Sequence, residues 1–281
     1  MEADVTDDSE HAATAKREKP ESCPMPRILD QFKLDGRVAL ITGSSGGIGE
    51  GLARGLADAG ATVVINGRTP EKVAKVVASI RAAGGKAHES IFDVTDSKAA
   101  ASGIDKIERE VGPIAILINN AGIQRRAPLH EISDETWREV ISTNLDSLFY
   151  VSKAAAKHMI PRGKGSIINI CSVMSELGRP TVVPYTAAKG GVKMLTKGMA
   201  IDWGKHGIRV NGIGPGYFKT ELNAALVADE KFSTWIAGRA PLGRWGNVEE
   251  LVGAAVYLAS DAASFVSGHI LYVDGGMTGS L

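Results

Sequence analysis

The sequence predicts an α/β protein with a doubly wound parallel sheet and helices on both of its faces. From about residue 35 onward, short apolar runs alternate with amphipathic stretches of helical length, which is the pattern of repeated βαβ units. Most of the apolar runs are almost continuously hydrophobic, as strands covered on both faces should be. A glycine-rich turn follows the first run. These three observations indicate a Rossmann-like fold in a single domain.

The positions of the elements follow from the same alternation. Strands are predicted at 37–42, 61–65, 87–92, 114–119, 166–171, 208–213 and 269–273. Helices are predicted at 47–59, 70–83, 97–111, 133–159, 185–206 and 247–260. Two of the helix starts are well marked, because Pro70 follows Thr69 and because Ser133 precedes an acidic turn.

Composition and charge exclude several classes of protein. The chain has 281 residues and is 44% hydrophobic, which is enough for a sizeable core. Lys+Arg and Asp+Glu balance at 32 each, so nothing favours a nucleic-acid or anionic-membrane partner. No apolar run reaches the ~20 residues of a membrane helix, and two cysteines fit a reducing cytoplasm. Residues 1–34 lack periodicity and are expected to form a disordered or loosely attached extension before one domain at 35–281.

The glycine-rich turn between the first strand and the first helix is suited to a dinucleotide. Glycine lets the backbone approach a pyrophosphate, and the following helix N-terminus supplies free N–H groups and the positive end of a dipole. The turn reads TGSSGGIG at 42–49. The residues expected to hold the cofactor here are Gly43, Ser45, Gly47, Ile48 and Gly49.

The end of the second predicted strand indicates that this dinucleotide is NADP(H) in preference to NAD(H). Folds that bind NAD place an acidic residue here for the ribose 2′-OH, and none is present. Gly67 leaves space, and Arg68 offers a planar cation suited to a phosphate. Asn66 is expected to donate as well.

The carboxyl ends of the other strands complete the predicted cofactor site. Ligands of open α/β sheets bind at these ends. Asn119 and Asn120 are costly to bury unless their amides are bonded, so we expect this pair to tie neighbouring strands together. The residues expected to line the cofactor are Asp93, Val94, Asn120, Ala121, Gly122, Pro215, Gly216 and Thr220.

Tyr185 and Lys189 lie four residues apart, which places them on one face of a predicted helix. A lysine ammonium beside a tyrosine hydroxyl favours the phenolate, so we expect the Tyr185 pKa to lie below its ordinary value of ~10. Ser172 follows a predicted strand and offers a further hydroxyl. These three residues predict proton exchange at an alcohol or a carbonyl group.

Together these features resemble the short-chain dehydrogenase/reductase family over residues 35–281. The motifs that carry the resemblance are TGSSGGIG at 42–49, NNAG at 119–122, TNL around Asn144, Ser172, YTAAK at 185–189 and PG at 215–216. The resemblance implies that Tyr185 is the general acid or base, that Lys189 holds the nicotinamide ribose, and that Ser172 bonds to the substrate oxygen. It also implies that a kink in the 133–159 helix presents the backbone carbonyl of Asn144 to a proton relay.

Further runs resemble the gluconate 5-dehydrogenases, or 5-keto-D-gluconate 5-reductases, a group within that family. The runs are GIQRR at 122–126, SELGR at 175–179, KMLT at 193–196, GYFKTE at 216–221, RWG at 244–246 and VDGGM at 273–277. The resemblance implies NADP-dependent interconversion of D-gluconate and 5-dehydro-D-gluconate. The segment 217–245 lacks strong periodicity and is expected to cover this substrate. The residues expected to bind it are Arg125, Arg126, Ser172, Glu176, Arg179 and Tyr185.

Two alternative functions remain open from the sequence. One is another reductase of this family, such as a 3-oxoacyl carrier-protein reductase or a different sugar or polyol dehydrogenase. A carrier-protein partner favours a basic patch at the mouth of the site, whereas isolated arginines here lie beside Glu176 and Glu221. The other alternative is a non-catalytic NADP-binding regulator, which the complete set of catalytic motifs disfavours.

Three further expectations concern metal, thiol and assembly. The histidines are scattered without ligand spacing, which predicts no metal site. Cys171 precedes Ser172 on a strand, so its side chain is expected to point the opposite way, into the core. The family resemblance implies a homotetramer, joined through the two long helices and the last strand.

Overall fold

A parallel sheet of seven strands forms the centre of the protein, in the order 3-2-1-4-5-6-7. The computed structural model describes residues 27–280. Every neighbouring pair of strands in the sheet runs parallel. The order reverses between the first and fourth strands, where open α/β sheets form a ligand crevice at the carboxyl ends. The predicted doubly wound fold is confirmed. The strands are β1 Val38–Ile41, β2 Thr62–Gly67, β3 Lys86–Ile91, β4 Ile114–Asn119, β5 Gly165–Ile170, β6 Ile208–Pro215 and β7 Ile270–Val273.

Helices cover both faces of this sheet. They are α1 Gly47–Asp58, α2 Pro70–Ala82, α3 Ser97–Glu110, α4 Asp134–Ile141, α5 Ser147–Arg162, α6 Val183–Gly204, α7 Ala224–Ala228, α8 Glu230–Arg239 and α9 Val252–Ala259. Apolar side chains of α1, α2 and α9 pack on one face, and those of α3, α5 and α6 pack on the other. Within the described part of the chain, every helix is too short or too polar to cross a membrane.

A π-helical turn divides the long helix that the sequence predicts at 133–159. The turn, Ser142–Asp146, lies between α4 and α5 and carries Asn144. A π turn inserts one extra residue into the helical ladder, and such insertions concentrate at functional sites. The expected kink therefore has a definite structural form, and it displaces Asn144 from the regular helix.

The N-terminal boundary of the fold lies slightly before residue 35. Ile28–Phe32 form a short 3₁₀ helix, and the Phe32 ring packs against Tyr257 with a centroid separation of 6.3 Å. Leu34 is fully buried in the core. Residues 28–34 thus pack on the domain, while the rest of the predicted extension, at 1–26, lies outside the described residues.

The segment 217–245 contains α7, α8 and a cluster of aromatic rings. Tyr217 meets three rings edge-on or nearly so, with centroid separations of 5.8 to 5.9 Å. Phe232 and Trp235, both on α8, stack at 5.6 Å. Trp245 closes the cluster and is 6% exposed. We call these four residues the aromatic cluster.

Candidate active site

The glycine-rich turn is packed so closely that two of its positions admit only glycine. A Cβ on Gly43 would lie 2.8 Å from the Cα of Ala121, and the φ of Gly43 is +61°. A Cβ on Gly49 would lie 2.4 Å from Nδ2 of Asn120 and 2.6 Å from the Gly43 carbonyl oxygen. The backbone at the start of α1 is therefore left bare, which is the surface a pyrophosphate needs.

The NNAG segment holds this turn from the other side. Nδ2 of Asn120 donates to the carbonyl oxygens of Thr42 and Gly43, each at 3.0 Å. The Thr42 hydroxyl accepts from the backbone N–H groups of Asn120 and Ala121. Asn119 makes the predicted tie within the sheet, because its Nδ2 donates to Asn169 on β5 at 2.9 Å. The ends of β1 and β4 are thereby fixed as one wall of the crevice.

Gly67 and Arg68 define the adenosine end of the crevice. A Cβ on Gly67 would lie 3.0 Å from the Ser45 hydroxyl oxygen, so an acidic side chain at this position would crowd the turn. Nη1 of Arg68 lies 3.5 Å from the Asp93 carboxylate, and the Arg68 side chain is 73% exposed. Burial alone raises the pKa of Asp93, but hydrogen bonds from Thr95 and the Arg68 charge bring that pKa below its ordinary value. Asp93 is therefore ionised at neutral pH, and its carboxylate attracts the Arg68 guanidinium.

Asn66 does not have the role expected from the sequence. Its side chain is fully enclosed, with Nδ2 donating to the carbonyl oxygens of Ser90 and Phe92. Its Oδ1 accepts from the Gly43 N–H at 3.3 Å. Because both amide hydrogens are used, Asn66 fixes the glycine turn to β3 and has no donor left for a phosphate.

The other predicted cofactor residues lie at the same edge of the sheet, mainly as backbone. A Cβ on Gly216 would lie 2.7 Å from the Cα of Asp274, and the Gly216 N–H donates to the Val273 carbonyl. Val94 is 7% exposed and packs in the core, so only its backbone faces the crevice region. Val94, Pro215, Gly216 and Thr220 lie at the carboxyl ends of strands or within five residues of them, and Ile48 lies in the first turn of α1.

Tyr185, Lys189 and Ser172 come together at the end of β5. Tyr185 and Lys189 lie on α6, and Nζ of Lys189 is 5.5 Å from the centroid of the Tyr185 ring. The same ammonium donates to the carbonyl oxygen of Ile170 at 2.6 Å. Ser172 is 8% exposed; its hydroxyl accepts from the Met174 N–H and lies close enough to Tyr185 to lower the Tyr185 pKa. The arrangement can hold a substrate oxygen between two hydroxyl groups.

The expected lowering of the Tyr185 pKa is wrong for the protein without cofactor. Burial raises the pKa of Tyr185 to about 12, against the smaller opposing effect of the Ser172 hydrogen bond. Burial also lowers the pKa of Lys189 to about 8, and this side chain is 3% exposed. The physical reason is that the ammonium is directed at the Ile170 carbonyl, so desolvation outweighs charge pairing.

Replacing Lys189 by methionine is expected to remove a pH dependence of the free energy of unfolding. Folding depresses the Lys189 pKa from ~10.4 to about 8. The unfolded chain therefore binds more protons between these values, and stability rises as the pH rises through this window. The free energy of unfolding of the wild type should rise by about 2 kcal/mol between about pH 8 and about pH 10, relative to Lys189→Met. Denaturant titrations of both cofactor-free proteins measure this difference, and parallel pH profiles would contradict it.

Asn144 is buried in the π turn with its side chain fully engaged. Nδ2 donates to the carbonyl oxygens of Ile123 and Val140, and Oδ1 accepts from the Ile123 N–H. A Cβ on Gly122 would lie 2.6 Å from this Oδ1. The amide thus fastens the loop after β4 to the π turn, and only the backbone of Asn144 is left for the proton relay expected at this position.

Two of the predicted substrate residues have charged partners within the protein. Arg125 forms two hydrogen bonds with the carboxylate of Glu139, at 2.6 and 3.0 Å. Glu176 accepts from Lys193 at 2.5 Å and from the Tyr272 hydroxyl at 2.9 Å, and these bonds lower its pKa. Both groups are therefore committed to other side chains.

Arg179 instead lies beside Tyr217, which packs in the same apolar group as Tyr185, and its charge acts on Arg126. Burial lowers the pKa of Arg126, and the nearby positive charge of Arg179 lowers it further. Nη1 of Arg179 donates to the Tyr217 hydroxyl at 3.1 Å, and Tyr217 lies close enough to Tyr185 to raise its pKa. Tyr217 was not predicted as a site residue, although it lies in the GYFKTE run and begins the segment 217–245 that was expected to cover the substrate.

Cys171 packs in the core as predicted. It is 1% exposed among Leu148, Val192 and Ile270, and burial raises the pKa of its thiol to about 11. A thiol of such high pKa is not a nucleophile near neutral pH. Across residues 27–280, no group of three or more His, Cys, Asp or Glu side chains is arranged to hold a metal ion.

A bare dinucleotide cradle beside a Tyr–Lys–Ser centre defines an oxidoreductase that uses a nicotinamide cofactor. The family model described as enoyl-(acyl carrier protein) reductase matches residues 43–278. The chain belongs to the short-chain dehydrogenase/reductase family, as the motifs predict.

Individual relatives fall in the predicted group within that family. The chain is 59% identical to a gluconate 5-dehydrogenase of Gluconobacter oxydans (strain 621H), over 90% of this chain and 98% of the relative. It is 50% identical to a 5-keto-D-gluconate 5-reductase of Escherichia coli (strain K12), over 88% and 98%. A crystal structure of a gluconate 5-dehydrogenase from Burkholderia cenocepacia J2315, in complex with NADP and tartrate, is 56% identical with a TM-score of 0.89, covering 91% of this chain and 100% of that one.

Proposed function

We propose that this protein is an NADP-dependent gluconate 5-dehydrogenase, which interconverts D-gluconate and 5-dehydro-D-gluconate. The observation that carries the proposal is the position of Arg179, which donates to the hydroxyl of Tyr217, a residue that packs in the same apolar group as Tyr185. A substrate of this site must present an alcohol or ketone to Tyr185 and an anionic group to the arginines. A sugar acid has both, and the names of the relatives agree with this chemistry.

In the proposed mechanism, the side chains exchange a proton with the substrate oxygen. NADP(H), when held in the cradle, would supply or accept the hydride at the substrate carbon. Ser172 donates to the substrate oxygen and fixes its position. Tyr185 gives its proton to that oxygen in reduction and removes it in oxidation. Lys189 would hold the ribose hydroxyls and replace the proton on Tyr185, with the Asn144 carbonyl completing the path to solvent.

The cradle supports a preference for NADP(H) over NAD(H). Bare backbone at Gly43 and Gly49 suits the pyrophosphate, while Gly67 stands where NAD-binding folds carry an acidic side chain. Ser45 and Arg68 supply a hydroxyl and an exposed guanidinium for the 2′-phosphate.

Arg68→Ala is expected to raise the KM for NADPH by ~10- to 100-fold, because charge-assisted hydrogen bonds to the 2′-phosphate are lost. The KM for NADH should change by less than about twofold, since NADH has no phosphate at this position. Steady-state kinetics with each cofactor at saturating ketone measure both values. An equal rise in both would show that Arg68 does not discriminate between them.

Among the predicted substrate residues, Arg126 and Arg179 are better supported than Arg125 and Glu176. Arg125 is neutralised by Glu139, and Glu176 is neutralised by Lys193. Arg126 is partly desolvated, which strengthens its attraction for an anion. We therefore assign the substrate carboxylate to Arg126 and Arg179, and the reacting oxygen to Ser172 and Tyr185.

One set of assays tests the proposed function against its alternatives. Purified protein should reduce 5-keto-D-gluconate with NADPH and oxidise D-gluconate with NADP⁺. Faster turnover of acetoacetyl thioesters would favour the carrier-protein reductase. Turnover of neutral polyols in preference to gluconate would favour a polyol dehydrogenase. Binding of NADPH without turnover of any of these substrates would favour the regulator.

We also propose that the protein is a homotetramer. Large apolar side chains are exposed on the two long helices, including Phe149 on α5 and Met194 and Ile201 on α6, the last at 80% exposure. Phe265, just before β7, is fully exposed. Met194 and Ile201 lie seven residues apart on one face of α6, and exposed apolar patches are typical of subunit contacts. Light scattering coupled to gel filtration measures the mass, for which four times 29.5 kDa is expected.

A further inference from the structure

Arg179 connects the active-site loop to the segment 217–245. It lies in the loop that follows Ser172, and its Cζ is 5.1 Å from the ring centroid of Phe232 and 5.9 Å from that of Trp235. Both rings belong to α8. A guanidinium over an aromatic face gains cation–π attraction and loses rotational freedom. The aromatic cluster therefore fixes the plane of the Arg179 guanidinium.

The hydrogen bond to Tyr217 fixes the direction of that guanidinium. Tyr217 belongs to the same cluster and packs with Tyr185 in a small apolar group beside the catalytic centre. The positive charge of Arg179 lowers the pKa of Arg126, after the larger effect of burial. Within the range 27–280, no carboxylate oxygen lies within 4 Å of a side-chain nitrogen of either arginine. Ten other arginine and lysine side chains in this range do have such a carboxylate partner.

We propose that Arg179, held by the aromatic cluster, is the residue that makes this enzyme select acids over neutral sugars of the same shape. The inference rests on the proposed function. It goes beyond the identity of the substrate and names the residue that causes acids to be selected over neutral sugars. A carboxylate gains charge-assisted bonds to the fixed guanidinium of Arg179 and is attracted by the charge of Arg126, whereas a CH₂OH group gains neither. The discrimination between acids and neutral sugars thus depends on the rings of α8 that hold Arg179, as well as on the loop that carries Arg179.

The test compares 5-keto-D-gluconate with L-sorbose, the ketose that carries CH₂OH in place of the carboxylate. Arg179→Met keeps the length and apolar stem of the side chain but removes its charge. We expect kcat/KM for 5-keto-D-gluconate to fall ~100-fold and kcat/KM for L-sorbose to change less than about threefold. Arg179→Lys keeps the charge without the planar stacking and should recover part of the loss.

Two further variants separate this role from a general structural one. Trp235→Leu removes a stacking ring but leaves the guanidinium, so it should reduce the preference for the acid by ~10-fold. Arg125→Met removes a nearby charge that Glu139 already neutralises, and it should leave the preference unchanged. An equal loss for both substrates in Arg179→Met, or no loss for either, would overturn the inference. If the wild type turns over L-sorbose as efficiently as 5-keto-D-gluconate, selection by charge is also overturned. If the wild type does not turn over 5-keto-D-gluconate at all, the proposed function itself is wrong.

Discussion

A Tyr185→Phe protein is expected to bind NADPH with unchanged affinity and to lose kcat by ~1,000-fold or more. Only the phenol oxygen is removed, and general acid–base catalysis by one group contributes ~10²- to 10⁴-fold. The ring stays packed against the buried group that contains Val173, Met174 and Val182, so the fold is retained. Removing the buried hydroxyl also deletes the partner of the Ser172 hydroxyl, which can turn to the substrate oxygen instead.

Two measurements distinguish this result from misfolding. Steady-state reduction of 5-keto-D-gluconate gives kcat, and titration of NADPH fluorescence gives the dissociation constant of the cofactor. Tyr257→Phe is the matched control, because Tyr257 lies on α9, on the opposite face of the sheet from α6. If Tyr185→Phe kept more than about a tenth of the wild-type kcat, Tyr185 would not be the proton donor.

The features that the sequence predicted well are those that depend on local pattern. The glycine turn, the strand ends and the helix starts depend on spacing over a few residues, and the relatives and the sheet order confirm the interpretation. The strand predicted at 87–92 is observed at Lys86–Ile91, a difference of one residue at each end, although its residues alternate in burial. It alternates because it is the edge strand of the sheet, and strand order is not a local property of the sequence.

The features that the sequence could not predict depend on long-range contacts. Arg125 and Arg126 are neighbours with the same side chain, yet Arg125 meets Glu139 whereas Arg126 meets Arg179, 53 positions along the chain. The same limit explains the wrong direction for the Tyr185 pKa. Spacing on a helix places Lys189 near the phenol, but only the packing of β5 reveals that the ammonium is directed at a carbonyl.

The second large effect is expected from Gly49→Ala, which places one methyl group in the glycine turn. That carbon would lie 2.4 Å from Nδ2 of Asn120, 2.6 Å from the Gly43 carbonyl oxygen and 2.9 Å from the Cα of Ser44. Two of these three atoms belong to the backbone, so the strain cannot be relieved by turning a flexible side chain. Overpacking of this kind costs about 1–3 kcal/mol, which corresponds to a fall in Tm of about 2–12 °C for a domain of this size.

Gly49→Ala is expected to weaken NADPH binding more than it lowers the free energy of unfolding. The displaced groups are those that fasten the NNAG segment to the turn, since Asn120 donates to both Thr42 and Gly43. A shift of the cradle by a few tenths of an ångström weakens several N–H contacts to the pyrophosphate together, so the dissociation constant for NADPH should rise ~100-fold.

Gly253→Ala provides the control for the substitution itself. Gly253 lies in α9 with no heavy atom within 4 Å of an added Cβ, so alanine should raise helix stability by up to about 1 kcal/mol. Thermal unfolding and NADPH titration of the two variants then test whether the cradle is held by backbone contact. Wild-type affinity in Gly49→Ala would mean that Asn120 can withdraw without disturbing the turn, and that the cradle depends on Gly43 and Gly47 alone.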